Sequence, residues 1–512
     1  MRPVVRRLVL LAACLLIGSL ALAGQVPARN DVGEAQRQRD AGNFQAAVAL
    51  LRAHLAQFPD DGDAPRLLAQ TLYWMKDIPA ARSAYEAALS RHPEDTTLIL
   101  QYARMLAETG ERERARQMVL PLERLPATRA DAYTLIGTIA YWDGDLTQAR
   151  RLLTEALAEN PGRQDARRQL DEILVATASF VRVSSSFRHD DQPLNRAAVG
   201  VDVRWFATPL VPLTVHVEPA GYWSSPGSIR KVAVADVTIA SYFPSARLET
   251  ELSAGTVYRS YGGQATDWQG HAVVGVRLTP AFTLRGRVEQ APYFNTAASL
   301  STPVTTRSFT GSLSLNSSRG WLGEAAYQRQ RFQDGNFVTS AYAWLLAPIV
   351  HRDGNDFQLG YAFASDTSDD SRFVLANAVQ AYLPGNPRFS TAGVYAPYYT
   401  PKNQLTHSAA GSLTMHLSQT TILRLGGAYG VRATEDSPTL VVSGGEVVRT
   451  FFKRSFTPWN ARGVLEFALS PALSVALTTN FGRSPFYSWA TAGIQVTRRF
   501  GVSAAAGRVS PR

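Results

Sequence analysis

Cysteine is almost absent: Cys14 is the only one in 512 residues. One thiol excludes intrachain disulfides, cysteine-ligated metal sites and Cys–His nucleophilic chemistry as organising features. Long apolar runs are equally scarce. After residue 24 no stretch reaches the roughly 18 consecutive apolar residues of a membrane helix, so any bilayer crossing must be made by strands. Catalytic signatures are missing too, with no G-x-S-x-G elbow, no H-E-x-x-H and no phosphate-cradling glycine loop. The expectation is a protein that is not an enzyme and holds no metal or cofactor.

The start of the chain reads as a signal peptide over residues 1–23. Arg2, Arg6 and Arg7 precede the apolar run Leu8 to Leu20, and Ala21-Leu22-Ala23 precede Gly24, the charged, apolar and small-residue parts of a secretory leader. A transmembrane anchor is disfavoured by the short apolar run, and a lipoprotein box at Leu11-Ala12-Ala13-Cys14 by the apolar sequence that continues beyond it. Loss of the three arginines takes the formal charge from +10 to +7. The remaining arginines are spread out and join no nucleic-acid motif. An exported basic chain is expected to meet an anionic surface or polymer instead.

Between residues 30 and 176 the apolar period is helical and a fixed spacing appears. Ala47, Ala81, Ala115 and Ala149 are each 34 positions apart, and Ala35, Ala69, Ala103 and Gly137 repeat the same interval. Leu51, Tyr85, Val119 and Leu153 follow four residues after the first set, prolines close the units, and Gly42, Gly110 and Gly144 mark turns. This is the tetratricopeptide pattern, in which small residues let paired helices cross closely. About four repeats and a capping helix from Gln164 to Val175 are expected. Tyr73-Trp74 and Tyr141-Trp142 fall late in the first helices of two repeats. They fit either a binding groove or helix packing, and packing is the favoured reading.

From Thr177 to Phe500 the period becomes two. Val199-Val201-Val203-Trp205 alternates with Asp202 and Arg204; Leu213-Val215-Val217 with His216 and Glu218; Phe282-Leu284-Gly286-Val288 with Arg285, Arg287 and Glu289; Leu423-Leu425-Gly427-Tyr429 with Arg424. Near the end, Ala461-Gly463-Leu465-Phe467 alternates with Arg462 and Glu466, and Ala490-Ala492-Ile494-Val496 leads to Phe500. Short joins (Phe243-Pro244-Ser245, Thr279-Pro280-Ala281, Ser418-Gln419, Ser470-Pro471-Ala472) alternate with long polar ones (Tyr261 to Gly270, Ala291 to Thr306, Ala433 to Pro458). Alternating short and long connections, with both charges on the polar face, predict an antiparallel transmembrane barrel rather than a soluble sandwich. Roughly 320 residues at about 20 per strand and connection give about 16 strands; Ser371 to Tyr399 would raise the number to 18 by supplying two more. Tyr222-Trp223, Tyr258, Tyr398-Tyr399 and Phe486-Tyr487 with Trp489 are expected at interfacial girdles. The fold class is thus α + β multidomain, with residues 501–512 as an extension.

The polar face supplies the candidate lumen. Arg204, Glu218, Glu249, Glu251, Arg285, Arg287, Glu289, Arg424, Arg462 and Glu466 are the pore-lining candidates. Glu249 and Glu251 share a strand face and fit a carboxylate pair, with plain pore lining preferred. Arg285, Arg287, Arg424 and Arg462 fit contacts to an anionic polymer or pairing with Glu289, Glu466 and Asp202, the second being preferred. His189-Asp190-Asp191 is expected to be a solvated loop.

A leader, tetratricopeptide repeats and a C-terminal barrel in this order, with Gly393-Val394-Tyr395-Ala396-Pro397-Tyr398-Tyr399-Thr400-Pro401 and a closing strand ending at Phe500, resemble the YaiO-type outer-membrane barrel proteins. The architecture is similar to that of the exopolysaccharide export porins, the cellulose synthase C subunit and the poly-N-acetylglucosamine export porin. Those exporters carry many more repeats, and Gly501 to Arg512 extends past the aromatic that normally ends such chains. The resemblance implies an outer-membrane location with the repeats in the periplasm, envelope proteins as partners of the repeats, and a polysaccharide passing through the barrel. Contact with outer-membrane lipid is implied and nucleic acid is not. A non-conducting scaffold for envelope assembly is the alternative.

Overall fold

A computed structural model describes residues 31–502, apart from 193, 225–228, 262–264, 318, 353, 376–392 and 444–445. The expected leader with Cys14, and all of the C-terminal extension after Val502, lie outside the described residues. Among the described residues nine α-helices run through the first part: α1 (Asp31–Asp40), α2 (Phe44–Gln57), α3 (Ala64–Trp74), α4 (Ile78–Arg91), α5 (Thr96–Glu108), α6 (Arg112–Val119), α7 (Arg129–Asp143), α8 (Leu146–Glu159) and α9 (Gln164–Ala176). The small residues at the 34-residue spacing are where helices meet. Ala35, Ala47, Ala69, Ala81, Ala103, Ala115 and Ala149 are fully buried. At Gly137 an added Cβ would lie 3.1 Å from Leu153 Cγ, so the crossing has no room for a larger side chain without displacement.

The turns inside each pair obey the same interval. Gly42, Lys76, Gly110 and Gly144 all have positive φ, at 84°, 65°, 102° and 83°, the left-handed position that ends a helix and favours glycine. Lys76 fills that position without glycine, which is why the glycine spacing skips the second repeat. One residue later, the Asp77 and Asp145 carboxylates accept backbone N–H groups of Ala80 and Gln148 and cap the following helices. The third repeat departs from the pattern. Its second helix stops at Val119 and continues as a 3₁₀ turn over Leu120–Arg124, because Pro121 has no N–H for the α-helical ladder.

The strands that follow are β1 (Phe180–Asp190), β2 (Leu194–Thr208), β3 (Val211–Trp223), β4 (Arg230–Phe243), β5 (Leu248–Arg259), β6 (Ala265–Arg277), β7 (Phe282–Pro292), β8 (Thr305–Asn316), β9 (Leu322–Phe332), β10 (Phe337–Arg352) and β11 (Asn355–Ser368). After a two-residue ladder, β12 (Phe373–Val374) with β13 (Val394–Tyr395), come β14 (Gln404–Ser418), β15 (Thr421–Ser443), β16 (Glu446–Phe456), β17 (Trp459–Ser470), β18 (Leu473–Arg483) and β19 (Ser488–Arg499). Neighbours pair antiparallel, and β1 pairs with both β2 and β19, from Phe180↔Arg499 to Asp190↔Trp489. The sheet is therefore a closed barrel of 16 strands, with β16 as the extra strand. Closure pairs every strand of the ring on both sides, and the β15–β16 hairpin stands beyond it.

Three connection readings change. Ser371 to Tyr399 adds no strands to the wall; only the β12–β13 ladder forms there among the described residues. The stretch from Ala433 to Pro458 is mostly ladder, because β15 continues past its β14 partner and folds back along β16, with Ala433↔Phe456 through Ser443↔Glu446. The join after Tyr261 is shortened by the start of β6 at Ala265. The four short joins all lie on the rim where β1 begins, and the long ones all lie on the opposite, far rim.

Register separates the two faces of the wall. Val203, Val215 and Val237 form one outward row, each 41–46% exposed, and Leu477, Ile494 and Val496 extend the belt at 39–43%. Apolar side chains this exposed and this continuous need a non-aqueous surrounding. Among the described residues no helix is long and apolar enough to cross a membrane.

Candidate functional site

The inward rows carry the charges. His216 Nδ1 lies 2.7 Å from Asp202 Oδ1, and one strand further Asp236 accepts from Gln269 Nε2 at 3.3 Å, reaching past Gly255 in the row Asp236↔Gly255↔Gln269. Glu249 and Arg285 use the same device: they pair over Gly275 in the row Glu249↔Gly275↔Arg285. A Cβ on Gly275 would overlap the Glu249 carboxylate, so the missing side chain is what lets the charges meet across an intervening strand.

Each lumen candidate can now be placed. Glu218 pairs with Arg196, Glu251 with His271 at 2.7 Å, Arg287 with Glu289 at 3.0 Å and Arg424 with Glu466 at 2.9 Å. Glu249 and Glu251 share a face but each has its own cationic or imidazole partner, so they do not form a carboxylate pair. Arg204 donates to Thr214 Oγ1 at 2.9 Å and stands 5.3 Å from the centre of the Phe180 ring. Arg462 lies across from Gly426. Among the described residues neither Arg204 nor Arg462 makes an ion pair. The lumen face is thus polar and largely self-compensated.

Sequence reasoning missed what packs inside the far mouth. The connection after β7 turns inward and forms a short helix, α10 (Ala297–Ser301), capped by Thr296, whose side chain accepts from Ser299 N at 3.0 Å. Leu300 packs against Leu194, Tyr222, Val232 and Val257, all buried residues of β2 to β5. Arg230 Nη1 donates to Leu300 O at 2.9 Å. The segment after β13 meets this helix, with the Thr296 hydroxyl donating to Pro397 O at 2.5 Å. Between them remains a cavity of about 20 Å³ beside Tyr395, Tyr399 and Phe486, room for about one water.

A latch fixes that segment. Tyr398 is fully buried, stacked on Phe332 at 3.5 Å and 9° between rings, and its hydroxyl lies 2.8 Å from both carboxylate oxygens of Asp334. Arg372 Nε donates to Asp334 at 2.6 Å. On the other side Tyr399 OH donates to Gln404 at 2.8 Å and lies 3.3 Å from Glu435, which pairs with Arg454 at 3.2 Å. Arg449 donates to Phe373 O at 2.9 Å, tying the β15–β16 hairpin to the same plug. Tyr222, Tyr398, Tyr399 and Phe486 are therefore not girdle residues; they fill the mouth. Tyr258, 42% exposed, does face outward. Asp190 is also no solvated loop residue: it is fully buried, accepts from Gln192 N and Leu194 N at 3.1 and 3.0 Å, and holds the β1–β2 turn. The aromatic density of residues 393–401 was the one signal in the chain that pointed here.

In the helical region the aromatic candidates are struts between repeats. Tyr73 OH donates to Glu108, and Tyr141 OH to Glu172 at 3.2 Å. Trp74 is 42% exposed, edge-on to Phe44 and 4.7 Å from the Arg39 guanidinium; Trp142 is half-buried. None of these is a core residue. Ion pairs also bridge repeats. Arg82 pairs with Glu111, and Glu86 accepts from Tyr102 at 2.7 Å and Arg114 at 2.8 Å. The Tyr102 hydroxyl, then Arg114, hold the Glu86 carboxyl below the ordinary range, and Arg82 does so for Glu111. A depressed folded pKa gives stability that is present above the unfolded value and lost as pH falls through the folded one. The helical melting temperature is expected to drop as pH is lowered from about 5 to about 3, with a smaller slope in Glu86→Gln/Glu111→Gln. Circular dichroism melts that show no slope in the wild type would refute this.

Residues 38–84 and 75–138 match the tetratricopeptide repeat family. No curated protein sequence matches the chain significantly. Among solved structures the chain is similar to a bacterial polysaccharide outer membrane secretin, at 9% identity and TM-score 0.45, over 64% of this chain and 99% of that one. It is also similar to PilF of Pseudomonas aeruginosa, at 20% identity and TM-score 0.27 over 29% and 67%. A third similarity is to a thermophilic tetratricopeptide protein of Thermus thermophilus, at 21% identity and TM-score 0.26 over 29% and 82%. The chain carries tetratricopeptide repeats at its N-terminus, followed by a closed 16-stranded antiparallel β-barrel.

Proposed function

We propose that this protein is an outer-membrane conduit for a hydroxyl-rich polymer, a polysaccharide, held closed at its outer mouth by its own loops. The observation that carries the reading is the arrangement of the barrel: an apolar belt outside, a polar and mostly charge-compensated lumen inside, and a mouth filled by hydrogen-bonded loops rather than by the wall itself. A wall whose arginines and carboxylates are already paired does not hold a strongly charged solute tightly, which favours passage over binding. An even strand number leaves both barrel ends on one rim, and a large helical region cannot follow the strands through a bilayer. That rim is therefore read as periplasmic, with the repeats recruiting envelope proteins there.

The second reading, a non-conducting scaffold, is favoured by the density of the mouth. Planar-bilayer recording separates the two. Full-length protein should show rare, brief openings, and replacement of residues 293–304 by a short Gly-Ser bridge should give sustained conductance that added neutral oligosaccharide reduces. Silence from both proteins, inserted and folded, would overturn the conduit.

A further inference from the structure

We infer that the outer wall of the barrel carries a binding site for the phosphorylated headgroup of a lipid, built from Arg307, Arg329 and Arg331 at the far rim. This rests on the reading of the barrel as membrane-embedded with its far rim at headgroup level. Arg307 and Arg331 are direct cross-strand partners on β8 and β9, and Arg329 is the partner of Phe309 in the same ladder. All three share the outward face with Phe309 and Tyr327, which are 52% and 47% exposed. Arg331↔Phe337 is the outermost pair of the β9–β10 ladder, so the cluster sits where the apolar belt ends.

Like charges placed directly opposite repel, and among the described residues none of the three makes an ion pair. They are nevertheless held in place. Arg329 and Arg331 flank the Phe337 ring, at 4.3 and 5.8 Å from its centre, and Arg307 Nε donates to Gln290 at 2.7 Å. Among the described residues the three guanidinium groups meet no carboxylate, so their charge is uncompensated on this face. An open groove of about 870 Å³ runs past Arg307 and Arg329 between Trp268, Val288, Phe309 and Tyr327. Apolar walls under fixed guanidinium groups match acyl chains under a phosphate, because a planar fork binds phosphate oxygens in pairs. A phosphorylated lipid satisfies both halves; a free phosphate satisfies only the upper one.

The test uses the full-length protein in detergent, with bisphosphorylated lipid A as probe and native mass spectrometry as readout. The wild type should retain lipid A, and Arg307→Gln/Arg331→Gln and Arg329→Gln should each weaken retention roughly tenfold or more. Dephosphorylated lipid A should bind the wild type as weakly as the variants bind the intact lipid, and inorganic phosphate in millimolar excess should not displace it. Heat-modifiable gel migration confirms that each variant is a folded barrel. Equal retention by wild type and folded variants, or displacement by inorganic phosphate, would overturn the inference. Failure of the wild type to insert into carbonate-resistant vesicles would instead overturn the membrane reading beneath it.

Discussion

Tyr398→Ala should turn a closed barrel into a conducting one. Tyr398 is the centre of the latch: fully buried, ring on ring with Phe332 at 3.5 Å, and hydrogen-bonded to Asp334 at 2.8 Å. Truncating a buried aromatic to alanine costs about 3–5 kcal/mol, and here the loss falls on a loop held to the mouth by a few such contacts. A closed-to-open equilibrium shifted by even about 3 kcal/mol changes by more than a hundredfold. Tyr398→Phe keeps the ring and removes only the hydroxyl, so its effect should be smaller, about 1–3 kcal/mol for a bond to a charged group. Open probability in planar bilayers should therefore rise in the order wild type, Phe, Ala. Identical closed traces from three folded proteins would show that the latch does not hold the mouth.

The Asp334 side of the latch carries a pH dependence of definite sign. Burial raises the Asp334 carboxyl, but Arg372 and the Tyr398 hydroxyl outweigh it and leave the group below its ordinary value of 3.8 in the closed state. Closure is therefore supported above the carboxylate range and lost as pH falls through the depressed value. The Asp334 contribution to closure should therefore weaken in acid, and Tyr398→Ala should blunt that part of the response.

The second large effect is expected far from the barrel. Ala81 is fully buried where paired helices cross. Ala81→Leu forces three extra carbon atoms into a contact that four repeats keep small, and overpacking of this kind costs about 1–3 kcal/mol. Each repeat is stabilised chiefly by its neighbours, so the lesion should lower the helical melting transition as a whole. Exposed Ala87 on the same helix is the control, since leucine there should change little. Circular dichroism at 222 nm reads the helical transition separately from the strand signal. A melting temperature for Ala81→Leu equal to that of Ala87→Leu would mean that the crossing is looser than its burial indicates.

Much of this architecture could be read directly from the residues. The 34-residue interval of Ala47, Ala81, Ala115 and Ala149 named the helix crossings because close approach tolerates only small side chains, a local and repeated demand. The alternation from Val199 to Val496 named the wall and its two faces because a pleated strand turns every second side chain the same way. The tight joins on one rim followed from their length alone.

The mouth was decided by closure of the barrel. Thr296 meets Pro397 across 101 positions, Arg449 meets Phe373 across 76, Arg230 meets Leu300 across 70 and Tyr398 meets Asp334 across 64. No period links such residues; they become neighbours only when strands from opposite parts of the wall bring their connections over one opening. Alternation therefore placed Arg285 and Glu249 on the lumen face without indicating their contact over Gly275. It also could not tell that Tyr222, Tyr398 and Phe486 turn inward rather than toward lipid, because an aromatic near a strand end faces whichever surface the adjoining loop covers. The sequence by itself determined two bodies and their repeating rules, since those depend on neighbours along the chain. The loops packed into the mouth and their latch depend on neighbours across the barrel, and only the tertiary structure could bring them together.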